Sequence, residues 1–203
     1  MSESAPAWET SKENVLPVKR GRSAKGLSDA LSKPKLHSEQ ENLARIADFD
    51  NELQNCPTEE AYQRLDIYIK YIKWVRDAYP GSAERVFELL ERCTVDFKNN
   101  EDMKNDSKLV ALWIEYADMV HAPGEIFAFM QANKIGERVS LFWIAWAYVA
   151  ERALNFKLTD QIFQKGTRRL AEPKELLSKR YKQFQRRMAR QFLNGTGDGA
   201  DSA

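Results

Sequence analysis

Apolar side chains recur every three or four residues from about Ser38 onward, the spacing that places them on one face of an α-helix. The first such stripe ends near Cys56, where a proline follows. Thr58 predicts the N-cap of a second helix that ends at Tyr79, and a third helix is predicted from Ser82. Further helices are expected at about residues 108–120, 124–132, 140–154, 159–170 and 174–193. Strand-like alternation is nowhere sustained, so the sequence predicts an all-α fold.

Three of the predicted helices carry the same pattern, aromatic–Ile–x–aromatic. The pattern starts at Tyr68, Trp113 and Trp143, and each copy is followed on the next helix by an aliphatic–Phe pair: Val86-Phe87, Ile126-Phe127 and Ile162-Phe163. Such helix pairs are typical of tetratricopeptide-type hairpins, which stack because one hairpin cannot bury its apolar face alone. Successive copies start 45 and 30 residues apart, which indicates a divergent tetratricopeptide-like array. An irregular bundle of unrelated helices is the alternative.

The first 38 residues differ in composition from the rest of the chain, being rich in Ser, Ala, Lys, Pro and Gly. Proline and glycine interrupt any long helix there, at Pro6, Pro17, Gly21, Gly26 and Pro34. We therefore predict a mobile arm over residues 1–38, a helical domain over 39–193 and a disordered tail over 194–203. Within the arm, Leu27 and Leu31 fall at helical spacing and predict one short helix.

Composition indicates a protein that folds around a core and lies in a reducing, intracellular compartment. Hydrophobic residues make up 43% of the 203 residues, enough to bury a core. There is no apolar run long enough for a membrane span and no secretory signal at the start, so no membrane partner is expected. Two cysteines cannot build a disulfide framework or a four-thiolate metal site.

Charge is distributed unevenly although the formal net charge is only +1. Residues 41–164 carry 14 basic and 21 acidic side chains, whereas residues 165–193 carry 10 basic and 2 acidic ones. The last predicted helix has an apolar stripe, which predicts a capping helix that docks on the last repeat and leaves its cations in water; the stripe is Leu177, Tyr181, Phe184, Met188 and Phe192. This uneven charge distribution could steer a charged partner towards the chain, or the basic residues could simply form a solvated helix face.

The sequence offers no arrangement typical of an enzyme. The only histidines are His37 and His121, and neither has a cysteine or serine at a catalytic spacing. Neither of the glycine-rich phosphate-binding motifs occurs. We therefore predict no catalytic activity, no cofactor and no metal.

The arm contains one motif suited to binding a rigid receptor, Lys12-Glu13-Asn14, followed by Pro17. A lysine, a carboxylate and an amide in succession are three polar groups that can fix a short accessible peptide in a formed site. The proline restricts the free peptide and so lowers the entropy lost on binding.

With its neighbours, this tripeptide resembles the KEN-box helix–loop–helix of the Bub/Mad spindle-checkpoint family, specifically its Mad-type (Bub-related) inhibitor subunit. Further motifs continue the resemblance in the same order: Lys19-Arg20-Gly21-Arg22, Leu27-x-x-Ala30-Leu31, Tyr68-Ile69-Lys70-Tyr71-Ile72-Lys73-Trp74, Leu89-Leu90-Glu91-Arg92-Cys93, Lys104-Asn105-Asp106, Leu112-Trp113-Ile114-x-Tyr116, Glu125-Ile126-Phe127-x-Phe129 and Ile162-Phe163-Gln164-Lys165-Gly166. The match covers roughly residues 10–190. Gln63-Arg64 and Tyr68 depart from the Asp-Pro and Trp usual in the family. The chain is either a piece of a longer protein or a minimal member.

The resemblance implies a function in the mitotic spindle assembly checkpoint. Family members assemble with the WD40 co-activator of the anaphase-promoting complex and with a HORMA-domain checkpoint protein, and their KEN box occupies the co-activator's degron site as a pseudosubstrate. The implied co-activator-binding residues are Lys12, Glu13 and Asn14 at the degron site, Lys19, Arg20 and Arg22 as nearby charges, and Leu27 and Leu31 as anchors of the short helix. The helical array would orient the arm and dock a kinetochore scaffold peptide, which places the protein in the nucleus and at the kinetochore, with a cytoplasmic pool.

A helical-repeat scaffold in RNA processing is the alternative function. In that case the basic helix at 174–193 would contact phosphates through Arg186, Arg187 and Arg190. A nucleic-acid partner is not expected from the aromatic residues, because they lie at helical spacing within the repeats and are assigned to the core.

Overall fold

The structure, a computed structural model, describes residues 35–197. Within that range the chain forms eight α-helices: α1 (Lys35–Asn55), α2 (Ala61–Ala78), α3 (Ala83–Phe97), α4 (Ser107–Met119), α5 (Pro123–Ala132), α6 (Ser140–Arg152), α7 (Phe156–Arg168) and α8 (Lys174–Gly197). The extended pairing found among these residues is a single parallel bridge between Val139 and Glu172. The all-α prediction is confirmed. None of the described helices is long and apolar enough to cross a membrane.

The described residues fall into two units that divide between Ala47 and Asp48. Of the first unit, residues 35–47 are described, and they are helical. Leu43 is 55% exposed there, although the sequence pattern assigned it to an apolar stripe. The helix begins at Lys35, inside the segment predicted as the arm.

In the second unit, consecutive helices pack against each other from α2 to α8. The pairs α2–α3, α4–α5 and α6–α7 are the three predicted hairpins, and α6 also contacts α4 and α8. Contacts between next-but-one helices are what stacked hairpins produce. The structure therefore confirms a tetratricopeptide-like array.

The repeated aromatics form the core of this array. Tyr68, Tyr71, Trp113, Trp143 and Trp146 are all at least nine-tenths buried. Aromatic stacking also joins one hairpin to the next. The ring of Phe87 on α3 stacks on Tyr116 of α4, with centroids 5.4 Å apart.

Several helix boundaries in the second unit differ from the prediction. Thr58 does not cap α2, which begins at Ala61 after Glu60. The helix α7 begins at Phe156 rather than 159, because the Asn155 side chain accepts a hydrogen bond from the Leu158 amide and caps it there. The last helix continues to Gly197 instead of ending at 193.

A partly buried ion pair joins Arg64, in the first turn of α2, to Asp96 of α3. The Arg64 Nε donates to Asp96 Oδ2 at 2.5 Å, and Arg64 Nη1 donates to the carbonyl oxygens of Leu53 and Cys56 at 2.5 and 2.9 Å. One guanidinium thus satisfies carbonyls at the end of α1 while it holds α2 to α3. Tyr68 donates to the same carboxylate, and burial together with Asp96 raises its pKa. This cluster serves the fold.

Candidate functional site

The co-activator-binding residues expected from the sequence all lie outside the described residues. They are Lys12, Glu13, Asn14, Lys19, Arg20, Arg22, Leu27 and Leu31. The surface that the structure offers for a partner therefore comes from the helical array itself.

That surface is a cleft lined mainly by the alternate helices α4, α6 and α8, together with Phe156 and Phe163 of α7, and its volume is about 630 Å³. We name this cleft the groove. Helix α6 contacts both α4 and α8 and supplies the largest share of the lining. These three helices lie side by side in the fold, although along the chain a further helix separates each of them from the next.

Helix α6 is apolar around nearly its whole circumference. Residues 141–150 include no charged side chain. One side carries the buried residues Phe142, Trp143 and Trp146. Leu141 and Tyr148 are seven residues apart, close to two turns, so they share another side, where they are 40% and 60% exposed and line the groove. A helix that is apolar all round is normally covered on every side, so α6 presents an uncovered apolar face.

Two of the three isoleucines of the repeated pattern lie on the same surface. Ile114 and Ile144 stand between the two aromatics of their repeats, and both line the groove while half-buried. Of the aromatics that flank them, Trp113, Trp143 and Trp146 are buried in the core instead. The aromatic pattern predicted that the repeats form the core and did not set the isoleucines apart. The uncharged run on α6 indicates an unusually apolar helix, but it does not say which side stays uncovered.

Helix α8 forms one wall of the groove and is held in place by its apolar stripe. Leu177 and Phe184 are buried, and the ring of Tyr181 stacks on Phe163 of α7 with centroids 5.1 Å apart. The Tyr181 hydroxyl donates to Asp160 at 2.6 Å, and burial followed by this hydrogen bond raises the pKa of Tyr181. These contacts confirm the predicted capping helix; Phe192, the last residue of the predicted stripe, lies outside the described side chains.

An ion pair between α6 and α8 crosses the groove. Arg187 donates to both carboxylate oxygens of Glu151, each at 2.7 Å, and these hydrogen bonds raise the pKa of Arg187. Two parallel hydrogen bonds fix the separation of the two helices more tightly than a single contact would. The pair also neutralises the Glu151 carboxylate, so that it adds no net charge to the groove.

Two other guanidinium groups border the groove. Arg152 lies over the Tyr148 ring, 5.9 Å from its centroid, and Arg180 donates to the Gln183 side chain at 3.2 Å. In the described part of the chain neither forms a salt bridge. Asp118 on α4 also borders the groove. With the Glu151 pair neutral, the groove carries a net positive charge.

The described residues contain no group of three or more His, Cys, Asp or Glu side chains that could hold a metal ion. The groove is apolar with arginine at its border, and nothing in its lining is placed as an acid–base pair. Its chemistry suits the binding of a polypeptide.

The sequence of this chain is similar to a family of checkpoint proteins. Residues 44–167 match the family described as Mad3/BUB1 homology region 1. Over 198 residues the chain is 31% identical to the mitotic checkpoint serine/threonine-protein kinase BUB1 beta of Mus musculus, covering 97% of this chain and 18% of that protein. Over 185 residues it is 34% identical to the mitotic spindle checkpoint protein BUBR1 of Arabidopsis thaliana, covering 90% and 46%. The chain therefore spans less than half the length of these two relatives.

The fold is similar to one chain in the crystal structure of a mitotic checkpoint complex. The TM-score is 0.72 at 29% sequence identity, and the match covers 96% of this chain and 89% of that chain.

Proposed function

Because the chain belongs to the family of Mad3/BUB1 homology region 1, a family of mitotic checkpoint proteins, we propose that it inhibits the anaphase-promoting complex as a pseudosubstrate. The family resemblance expected from the sequence motifs is confirmed. In the proposed mechanism, Lys12, Glu13 and Asn14 occupy the degron site of the WD40 co-activator and exclude substrates. The array supports this segment.

One observation carries the proposal: the Lys12-Glu13-Asn14 tripeptide precedes an array that resembles a chain of a mitotic checkpoint complex. A receptor site that binds these three side chains leaves its own polar groups unpaired when they are removed, and each unpaired group costs about 1–3 kcal/mol. Lys19, Arg20 and Arg22 would add charge complementarity, and Leu27 and Leu31 would anchor a short helix against the co-activator. A HORMA-domain checkpoint protein and a kinetochore scaffold peptide are the further proposed partners.

Binding without catalysis is the proposed mode of action, although relatives such as BUB1 beta are named as kinases. The match with that protein covers only 18% of its length. We place the protein at kinetochores and in the nucleus during mitosis, with a cytoplasmic pool. Membership of a checkpoint family favours this function over the RNA-processing alternative, and the engagement of Arg187 with Glu151 removes one of the three arginines expected to contact phosphates.

The test is a calorimetric titration of the purified chain into the co-activator's WD40 domain with the HORMA-domain protein present. Replacement of Lys12, Glu13 and Asn14 by alanine is expected to weaken binding at least about tenfold, the equivalent of about 1.4 kcal/mol. A matched control replaces Glu9, Lys25 and Ser28, which keeps the number of substitutions and the charge change. Equal affinity of the tripeptide variant and the parent chain would exclude the degron-mimic mechanism.

A further inference from the structure

Four cationic side chains line two adjoining clefts where the end of α7 lies beside the start of α6. One cleft, of about 530 Å³, is lined by Gln131, Trp143, Lys165, Arg168 and Arg169. The other, of about 360 Å³, is lined by Arg138, Arg169, Leu170 and Glu172. We name Arg138, Lys165, Arg168 and Arg169 the basic cluster; all four are exposed. Neither cleft shares a lining residue with the groove.

Backbone hydrogen bonds hold Arg138 beside the end of α7. Its carbonyl oxygen accepts from the Glu172 amide at 2.9 Å, and the Glu172 carbonyl accepts from the Ser140 amide at 2.8 Å. The Arg138 amide in turn donates to the Asn105 side chain at 2.9 Å. The two parts of the basic cluster, far apart in the sequence, are therefore brought together by the fold before any ligand arrives, which lowers the cost of binding one.

Carboxylates neutralise only part of this charge. The Arg169 Nη2 lies 3.5 Å from Glu137 Oε1, and among the described residues Glu172 is the carboxylate that lines the clefts. The other three cations of the basic cluster form no salt bridge with a described residue. Four cations beside two carboxylates leave the clefts with a positive charge.

The stability of the helices explains only some of these positions. Lys165 and Arg168 lie in the last turn of α7, where the negative end of the helix dipole stabilises a cation. Arg138 instead precedes α6, which begins at Ser140, and the positive end of that dipole disfavours a cation there. An anion bound in the clefts would offset this repulsion.

The free polar groups of the clefts are mostly hydrogen-bond donors. Guanidinium and ammonium groups have no acceptor, and the half-buried Gln131 side chain forms no hydrogen bond with a described residue. A matching ligand therefore supplies negative charge and acceptor oxygens, and phosphate supplies both and pairs with arginine through two parallel hydrogen bonds. Cations grouped around clefts suit a compact ligand, whereas a nucleic acid follows an extended groove with aromatic side chains for its bases.

We propose that the basic cluster binds a small, multiply phosphorylated anion. Its phosphate oxygens accept hydrogen bonds from the guanidiniums of Arg138, Arg168 and Arg169 and from the Lys165 ammonium. A soluble polyphosphate and the headgroup of a phosphoinositide lipid share this chemistry. The site does not depend on the Lys12-Glu13-Asn14 motif or on the function proposed for it.

The experiment is a calorimetric titration of the full chain with inositol hexakisphosphate at about 0.15 M salt. We expect one saturable site that binds this probe at least about tenfold more tightly than inorganic phosphate, because a single phosphate cannot contact all four cations. The absence of saturable binding, or an affinity no higher than that for inorganic phosphate, would overturn the proposal.

Double variants locate the site. Arg138→Gln with Arg168→Gln is expected to weaken binding of the probe at least about tenfold. Both side chains are exposed, and Arg168 contacts only the Gln164 side chain at 3.4 Å, so the thermal unfolding curve should not change. The matched control is Lys179→Gln with Arg186→Gln, two exposed cations of α8 outside both clefts, which removes the same charge. An equal loss in both pairs would mean that only the overall charge matters and would refute the site.

Two further ligands identify the source of the phosphates. Phosphatidylcholine vesicles with and without phosphatidylinositol 4,5-bisphosphate are sedimented with the chain. Lipid-dependent sedimentation that the Arg138/Arg168 variant loses would support the site and assign the headgroup as its ligand, and its absence beside binding of the soluble probe would assign a soluble anion. A short single-stranded RNA that binds more tightly than inositol hexakisphosphate, and is lost in the same variant, would overturn the proposal in favour of a nucleic-acid site.

Discussion

Gly166 of α7 lies directly against the indole ring of Trp143 on α6. A Cβ atom added to residue 166 would lie 2.6 Å from Trp143 Cγ, closer than side-chain atoms approach one another. The indole cannot easily rotate away, because its Nε1 donates to the Glu137 carbonyl at 2.9 Å. The close approach of α6 and α7 therefore depends on the absence of a side chain at 166, and it fixes the side of α6 that faces away from the groove.

Substitution of this glycine is expected to destabilise the array. Gly166→Ala overpacks a rigid contact, which costs about 1–3 kcal/mol, while the higher helix propensity of alanine returns less than about 1 kcal/mol. We expect the free energy of unfolding in urea to fall by about 1–2 kcal/mol. Gly124→Ala is the matched control, since it is also helical and nothing lies within 4 Å of its added Cβ. Equal stability of the two variants would contradict the role of the contact.

Two ion pairs of the array are expected to contribute differently to the free energy of unfolding. Arg64 and Asp96 have side chains only 17% and 22% exposed, and Arg64 also binds two backbone carbonyls. Removing the guanidinium in Arg64→Met takes away the charge partner of a partly buried carboxylate, which keeps only the Tyr68 hydroxyl, and leaves those carbonyls without their donor. We therefore expect a loss of about 2–4 kcal/mol in the free energy of unfolding.

A more exposed ion pair, between Arg76 and Glu115, serves as the control. The two side chains are 47% and 41% exposed. Solvent screens it, and Arg76→Met is expected to change the free energy of unfolding by about 0–1 kcal/mol. Chemical denaturation of the two variants under one buffer measures both. A larger loss in Arg76→Met than in Arg64→Met would refute the argument from burial.

The two cysteines are expected to differ in reactivity. Cys93 is fully buried, and burial with the nearby Asp96 charge raises its pKa from 9.0 to about 12, whereas Cys56 is partly exposed. At about pH 8.5, iodoacetamide should therefore modify Cys56 in the folded chain and both thiols in urea, which peptide mass spectrometry resolves. Rapid modification of Cys93 in the folded chain would contradict its burial.

The same thiol is expected to weaken the fold at high pH. In the unfolded chain Cys93 ionises near pH 9, but in the folded chain it stays protonated until about pH 12. The unfolded state therefore releases its proton first, and the free energy of unfolding should fall as pH rises from about 9 towards 12. Cys93→Ala should make this fall shallower, with Cys56→Ala as the matched control, in denaturation curves recorded across that interval.

The helical hairpins could be predicted from the sequence because apolar periodicity and the repeated aromatics are local signals. Trp113 and Trp143 are buried in the core, as their helical spacing predicted. The groove could not be predicted, because it forms only where α4, α6 and α8 lie side by side. A local sequence pattern does not indicate which helices become neighbours in the fold. An uncharged run such as 141–150 is typical of a helix covered on all sides, whereas the fold leaves one side of α6 uncovered.

The prediction of an N-cap at Thr58 was wrong for a related reason. Threonine before an apolar stripe is a good local signal, but the Glu60 amide donates to the Pro57 carbonyl and places Thr58 inside a turn. The start of α2 is set instead by Arg64, whose contacts reach the end of α1 and Asp96 on α3. Tertiary contacts thus overrode the capping preference at this one boundary.

A comparison of capping residues tests this conclusion. Asn155→Ala removes the side chain that accepts the Leu158 amide, and Asp106→Ala removes the one that accepts the amides of Lys108 and Leu109. Each change is expected to lower the free energy of unfolding by about 1 kcal/mol, because a helix terminus loses its hydrogen-bond partner. Thr58→Ala removes no cap and is expected to change it by less than about 0.5 kcal/mol. Urea denaturation of the three variants measures the differences; a loss at Thr58 as large as that at Asn155 would mean that Thr58 caps α2 in solution after all.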